Sequence, residues 1–208
     1  MPYGFMDIAI TPSVRRAQAE MGADLLWSDF RGHREFDRFG PQEREFIARR
    51  DSFYMASVSE TGWPYVQHRG GPAGFLKILD DRTLAFADYR GNRQYITTGN
   101  VAADDRVCLF LMDYPHRTRL KIYAAAETVA LDADPDLTAA VTDHMYGAKI
   151  ERIFRIRLRA FDWNCPQHIV PRFTEAEVLA GTQTLRDRLV ALETENADLR
   201  ARLAGLEA

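Results

Sequence analysis

Val178, Leu185, Leu192, Leu199 and Leu206 recur every seven residues, a period that an ordinary globular core does not impose. A second row, Thr182, Leu189, Asn196 and Leu203, runs three residues ahead of the leucines. Read as a and d positions, the two rows describe a coiled-coil helix of about four heptads. An Asn at an a position favours a two-stranded parallel pair in fixed register. Arg188, Glu195 and Arg202 then occupy g positions, and Glu193, Arg200 and Glu207 the e positions five residues on. Every g-to-e′ pair is opposite in sign in a parallel dimer, so the sequence predicts parallel homodimerisation through 178–206. An amphipathic helix folded back on its own chain would explain the leucines but not the charges. Four heptads are short, so a dimeric body beside the zipper is expected to support it.

Charge marks where this helix begins. From Thr174 to Ala208 seven acidic residues stand against four arginines, which accounts for the whole formal charge of -3 in a chain of 208 residues. The residues before Thr174 are therefore neutral overall, and the boundary falls near Pro171-Arg172-Phe173. A balanced chain of this kind argues against bulk nucleic-acid or membrane-surface binding. No run approaches the roughly 18 apolar residues of a membrane helix. The first residues lack a basic head followed by an apolar stretch, so no signal peptide is expected. Cys108 and Cys165 form neither a CxxC pair nor a disulfide framework. A cytoplasmic protein is the expectation.

The body of the chain reads in three parts. Residues 1–50 are helical in pieces. Thr11-Pro12 starts one helix, with Val14, Ala17 and Met21 at helical spacing up to Gly22, and Pro41 starts a second that runs to about Arg49 with Phe46 and Ile47 on its apolar side. Residues 52–130 are strands: FYMASVSE and WPYVQHR flank a Glu60-Thr61-Gly62 turn, and FLKIL, TLAFADY, RVCLFLMDY and RLKIYAAAETVAL follow. Short strands at regular spacing suggest an antiparallel barrel or sandwich. Pro135 to Gly147 reads as a helix, and the run from Ile153 to Trp163 as a strand.

No GxSxG elbow, HExxH, P-loop or GxGxxG motif is present. The histidines (His33, His68, His116, His144, His168) do not pair with one another, with Cys or with a carboxylate at metal-ligand spacing, so no metal site is expected. The middle of the chain instead carries cations at strand ends and turns. Arg69-Gly70-Gly71-Pro72 closes one strand and Lys77 lies on the next. Arg90, Asn92, Arg93 and Gln94 follow TLAFADY, and Arg117, Thr118, Arg119 and Lys121 enter a later strand. Convergent guanidinium, ammonium and hydroxyl groups, with glycines that let the backbone approach, are what a phosphate needs.

The ordered set FYMASVSETGWPYVQHRGGPAGFLKIL, TLAFADYRGNRQYITTGNVAADDRVCLFLMDY and RLKIYAAAETV resembles the pyridoxamine 5′-phosphate oxidase-like family of flavin-binding split barrels. Its elements are a hairpin with a G-x-P turn, a strand leading into a polar phosphate turn, and a helix ending in Asn100 and the run Asp104-Asp105-Arg106-Val107 before a long apolar strand. The resemblance covers 45–131 and, more loosely, 150–173. The run WNCPQHIVPRF resembles a signature of a branch distinct from the pyridoxal enzyme, whose C-terminal substrate signature is missing.

The resemblance implies a mainly β (α+β) fold: a six-stranded antiparallel split β-barrel over 51–173, a helical extension packed on it over 1–50, and the coiled-coil helix over 174–208. It implies FMN bound non-covalently where two barrels of a homodimer meet. The family's first phosphate-binding basic residues lie on the strand where Lys77 falls, with Arg69, Gly70 and Gly71 nearby as further candidate cofactor-binding residues. The family's Thr-Asn-x-x-Ser-x-Lys turn falls on Ala87-Asp88-Tyr89-Arg90-Gly91-Asn92-Arg93, which puts Arg93 at the phosphate-binding Lys. Ala87 and Gly91 replace two hydroxyl donors, so Arg90, Asn92 or Gln94 is expected to compensate. Arg119 stands where the family has a Gln that reaches the flavin ring, with Arg117 and Lys121 beside it. Trp163, Cys165, Gln167, His168 and Arg172 are placed near the partner's flavin, with His168 as the candidate general acid. Cys165, taken alone, reads as a small buried residue. The implied function is an FMN-dependent oxidoreductase acting on a small molecule, with NAD(P)H as a candidate reductant. The alternative is a binding or sensing module without catalysis, for flavin, for a deazaflavin, or for heme with His33, His116 or His144 as axial ligand.

Overall fold

Alternation of apolar and polar residues builds one antiparallel sheet. The computed structural model describes residues 4–27, 37–163 and 166–206. Its strands are β1 (Ser52–Val58), β2 (Pro64–Gly70), β3 (Lys77–Ile78), β4 (Thr83–Tyr89), β5 (Arg106–Asp113), β6 (Thr118–Val129) and β7 (Ile150–Trp163). The sheet order is β2-β1-β5-β6-β7-β4-β3. The expected mainly β body is thus present, with seven strands rather than six, because β7 joins β6 to β4 and β3 survives as a two-residue edge. The helices are α1 (Phe5–Ala9), α2 (Pro12–Glu20), α3 (Pro41–Ala48), α4 (Ile96–Ala103), α5 (Pro135–Val141) and α6 (Glu175–Leu206).

Along β1, Phe53, Met55 and Ser57 point inward, and along β5 Val107, Leu109, Leu111 and Asp113 do the same. Phe53 meets Phe86 of β4 edge to face at 5.3 Å, although their strands lie far apart in the sheet order. Phe86 stacks on Phe154 of β7 at 5.1 Å. The sheet therefore curls until its two ends face each other across a shared core. Its end strands share no backbone pairing, and the barrel stays split. Burying each of these large apolar side chains contributes roughly 1.5–3 kcal/mol.

The helices seal the sheet unequally. Ile47 of α3 and the nearby Phe39 enter the main core. Leu137 and Val141 of α5 cover β4 with Ala85 and Ala87. Phe5 of α1 stacks on Tyr123 at 4.5 Å. Thr11 caps α2 by accepting from Val14 N, yet α2 buries nothing, and Met21 is 84% exposed. The helix expected over 135–147 stops at Val141. The Asp143 side chain accepts from Met145 N and forms a local turn that competes with further helix. The FLKIL segment gives only β3, because Gly74 adopts a left-handed φ of 75° and sends Phe75 and Leu76 into the core.

Tyr114–His116 with Val170–Ala208 form a second compact unit, apart from Met1–Asp113 with Arg117–Ile169. Within it, the Arg172 guanidinium lies 5.0 Å from the Tyr114 ring centroid. Thr174 and Glu177 form a capping box: Thr174 N and Oγ1 donate to Glu177 Oε2, and Glu177 N donates to Thr174 Oγ1. None of the 32 residues of α6 is buried. No described helix is long and apolar enough to cross a membrane.

Candidate functional site

The open seam between β2 and β4 is where charged groups gather. Arg69, near the end of β2, donates from Nη1 to Asp88 Oδ1 of β4 at 2.6 Å. Asp88 Oδ2 lies 3.6 Å from Arg152 Nε of β7. A register shift at Asp88/Tyr89, which pair with Arg152 and Ile150, leaves Glu151 as the extra residue of a bulge. Glu151 accepts from Arg90 Nε at 2.7 Å and from the Tyr95 hydroxyl at 3.0 Å. The Arg152 guanidinium lies over the Tyr95 ring at 4.6 Å and donates to Thr98 Oγ1. Three strand ends and the 90–95 turn are thereby tied into one ionic network.

The turn itself is unusual. Arg93 and Tyr95 both adopt left-handed backbone, φ 63° and 53°, a region L-residues rarely occupy. Tyr95 is the N-cap of α4 and contributes no side-chain cap, so the first amides of α4 keep free N–H groups beside Thr97 and Thr98. A left-handed residue followed by helical backbone turns successive N–H groups into an anion-binding concavity. A cavity of about 210 Å³ lies alongside, walled by Arg69, Gly70, Phe86, Ala87, Asp88 and Arg90, among others. Gln67, Arg69, Asp88, Asn92, Arg93 and Thr97 help to line the recess that adjoins it.

Burial works against charge here. It pushes the Asp88 carboxyl above the usual carboxylate range, opposed by Arg69 and Arg152. It also lowers Arg69 from the ordinary guanidinium value, opposed by Asp88. The Arg90 hydrogen bond holds Glu151 below its usual range. Four guanidiniums (Arg69, Arg90, Arg93, Arg152) face two carboxylates (Asp88, Glu151), leaving a formal excess of two positive charges. Among the described residues two buried side-chain nitrogens lack a hydrogen-bond partner, Arg69 Nε and Arg119 Nε. An unpartnered buried donor costs about 1–3 kcal/mol, so a cation kept this way at a cavity wall suits an anionic ligand.

The structure brings together Arg69, Gly70, Ala87, Asp88, Arg90, Asn92 and Arg93. Asn92 Oδ1 accepts from Gln94 N and shapes the turn. Gly71 lies just past β2, where an added Cβ would stand 2.8 Å from Phe75. Lys77 sits on β3 opposite Ala85 and does not line this cavity.

A second set of expected residues falls elsewhere. Arg117 has a left-handed φ of 53° in the turn before β6. Arg119 lies over Phe110 at 5.8 Å. Lys121 Nζ pairs with Asp162 Oδ2 at 2.8 Å and sits 4.6 Å from the Phe5 ring centroid. Trp163 Nε1 donates to Glu43 Oε1 at 2.8 Å, and its ring meets Phe46 edge to face at 4.9 Å. Trp163 and the Glu151–Arg152 pair lie at opposite ends of the 14-residue β7. Gln167 and His168 are exposed in the turn beyond, His168 with φ 62°. Cys165 and His33 lie outside the described residues. Among the described residues no group of three His, Cys, Asp or Glu could hold a metal ion.

Sequence reading missed Gln67, Tyr95, Thr97, Thr98, Glu151 and Arg152. The hydroxyls of Tyr95, Thr97 and Thr98 directly follow the GNRQ turn and carried a signal. Glu151 and Arg152 carried none, because only the pairing of β7 with β4 brings them there.

A family model described as pyridoxamine 5′-phosphate oxidase matches residues 39–163. No curated protein sequence matches the chain. Solved structures with a similar course include an FMN-binding protein from Syntrophomonas wolfei (14% identity, 74% of this chain and 95% of that one, TM-score 0.43). General Stress Protein 26 from Bacillus anthracis is similar at 12% identity, over 62% of this chain and 92% of that one, with a TM-score of 0.44. HupZ from Group A Streptococcus is similar at 12% identity, over 65% of this chain and 100% of that one, with a TM-score of 0.46.

Proposed function

The chain belongs to the pyridoxamine 5′-phosphate oxidase family, and from that premise we propose that it is a cytoplasmic, FMN-dependent oxidoreductase acting on a small molecule. The observation that carries the reading is Arg69, a buried guanidinium whose Nε–H has no partner among the described residues, at a seam with two excess positive charges. A phosphate monoester is a dianion near neutral pH, so its charge matches that excess. The donor set fits the group: guanidiniums, the Asn92 amide, and the free amides at the start of α4.

Arg69 and Arg93 would hold the phosphate, and the left-handed turn would orient it. Bound there, FMN would supply reversible hydride or electron transfer. Phe86 and the other apolar walls exclude water from the Arg69 pair and strengthen it. Arg119, with its free Nε–H, is the residue we assign to the electron-rich edge of the flavin ring. His168 is exposed and is the candidate proton donor.

A second copy would complete the site. The outer face of β1, β5 and β6 forms an apolar groove of about 620 Å³, lined by Ile8, Ala56, Val58, Cys108, Tyr123 and Ala125. Beside it the edge strand β2 shows Val66, 59% exposed, and the hairpin tip shows Trp63, 76% exposed. An uncovered edge of this kind calls for a partner. We assign it to the same face of another chain, where Trp63 is a knob and the groove a hole.

A flavin-binding module without turnover is the second reading. Lys121 and Trp163, both expected at the ring, are engaged with Asp162 and Glu43 instead. The visible spectrum of the purified protein tests both. Flavin absorption that bleaches with NADH or NADPH supports the enzyme, and flavin that does not bleach supports the module. Colourless protein that takes up no added FMN overturns both.

A further inference from the structure

We propose that α6 is a homotypic, parallel, in-register coiled coil, so that two copies of this chain are joined along 178–206 independently of what the barrel binds. The helix is unbroken over its 32 residues and none of them is buried, so among the described residues its leucine rows stand open. Leu185 and Leu206 are 71% and 83% exposed. About four heptads of leucine facing water is a surface that soluble chains bury in a partner. The Thr182 hydroxyl, at an a position, already donates to Val178 O at 2.7 Å, which leaves its methyl group for the seam.

Charge decides who the partner is and which way it runs. In a parallel pair, g faces e′ of the next heptad: Arg188 meets Glu193′, Glu195 meets Arg200′, and Arg202 meets Glu207′. All are attractive. In a fully overlapped antiparallel pair, g faces g′ and e faces e′. Arg188 would then meet Arg202′, Arg186 would meet Arg200′, and Glu195 and Glu193 would each meet their own copies. All are repulsive. Asn196 adds a second discriminator. In parallel register it meets Asn196′ and the two amides can bond, whereas in the antiparallel arrangement it faces a leucine and stays unsatisfied. A single polar Asn196 in the a row also specifies oligomer state, here two strands.

The test is site-directed cross-linking in the full-length chain. Under mild oxidation Leu199→Cys, at a d position, should give disulfide-linked dimer in high yield, whereas Ala201→Cys, on the outer face, should give little. Cross-linking only in a mixture of Leu189→Cys and Leu199→Cys chains would report antiparallel pairing and overturn the proposal. So would a Leu199→Cys chain that cross-links no better than Ala201→Cys. Charge provides the second arm. Arg188→Glu with Arg202→Glu in the Leu199→Cys background should lower cross-linking roughly tenfold or more. An equal mixture with a Leu199→Cys chain carrying Glu193→Arg and Glu207→Arg should restore it. Loss without restoration would overturn the pairing scheme. Flavin absorption, read on the same samples, should be unaffected, so failure here is separable from failure of the flavin reading.

Discussion

Arg69 and Asp88 meet at 2.6 Å across the seam between β2 and β4, two strands that share no backbone pairing. The pair is largely buried, with side chains 12% and 8% exposed. It holds Arg69 in place by Nη1, while the buried Nε–H has no hydrogen-bond partner among the described residues. Removing the guanidinium should therefore cost the phosphate more than the ring. Arg69→Met is expected to raise the Kd for FMN about 10- to 100-fold, from a charge-assisted hydrogen bond of about 1.5–3 kcal/mol. Riboflavin, which lacks the phosphate, should bind as before. Titration of both flavins by fluorescence quenching checks this, and equal losses for the two would refute the assignment.

Asp88→Asn should separate stability from affinity. The substitution leaves Arg69 buried without a counter-charge, which typically costs about 3–5 kcal/mol. The emptied position makes the seam more positive, so inorganic phosphate should bind more tightly than to the starting chain. Urea denaturation gives the first quantity and calorimetry with phosphate the second.

Two carboxylates should respond to acid in opposite directions. Asp104 is held down to about 2 by hydrogen bonds from the Arg106 side chain and backbone. Its contribution is present above the ordinary carboxylate value and is lost as pH falls toward about 2. Asp88 is pushed up by burial. The cost of its charge is felt above its raised value and is relieved as pH falls through it. Side-chain NMR titration should show Asp104 titrating below a free carboxylate and Asp88 above it. Arg106→Ala should return Asp104 toward the usual range and leave Asp88 unchanged.

Glu43 ties α3 to the end of β7. One carboxylate oxygen accepts from Trp163 Nε1 at 2.8 Å and the other from Gly40 N at 2.9 Å. Glu43→Ala loses both and should cost about 2 kcal/mol in thermal unfolding. Trp163→Phe loses only one and should cost about half as much.

Gly74 has a φ of 75°, and a Cβ there would stand 2.9 Å from Ala48 O. Gly74→Ala combines backbone strain with a clash and should cost about 2–3 kcal/mol. Gly181 lies in α6 with open space around it. Gly181→Ala should raise helix stability by about 1 kcal/mol. Thermal melts of the two variants should shift in opposite directions.

The strands were legible because inward and outward residues alternate, and β1 and β5 keep that alternation from end to end. The FLKIL run yields only the two-residue β3, since Phe75 and Leu76 are apolar because they fill the core and not because they are strand. The helix expected over 135–147 ends at Val141, and the short Asp143 turn that follows leaves no mark in hydrophobic spacing. At the site, the local segment from Asp88 to Arg93 could be read directly. Glu151 and Arg152 could not, because their place depends on a bulge in strand pairing some sixty residues away. Trp163 and Lys121 have the residue types that a flavin ring favours, but sequence does not reveal that Glu43 and Asp162 engage them.

Most barrels close by stitching first strand to last with main-chain bonds. This one is fastened at that joint by a few charged side chains. An anion lodged among them would act as a rivet, so occupancy and heat resistance should rise together, and the emptied barrel should be the first part of the molecule to gape on warming.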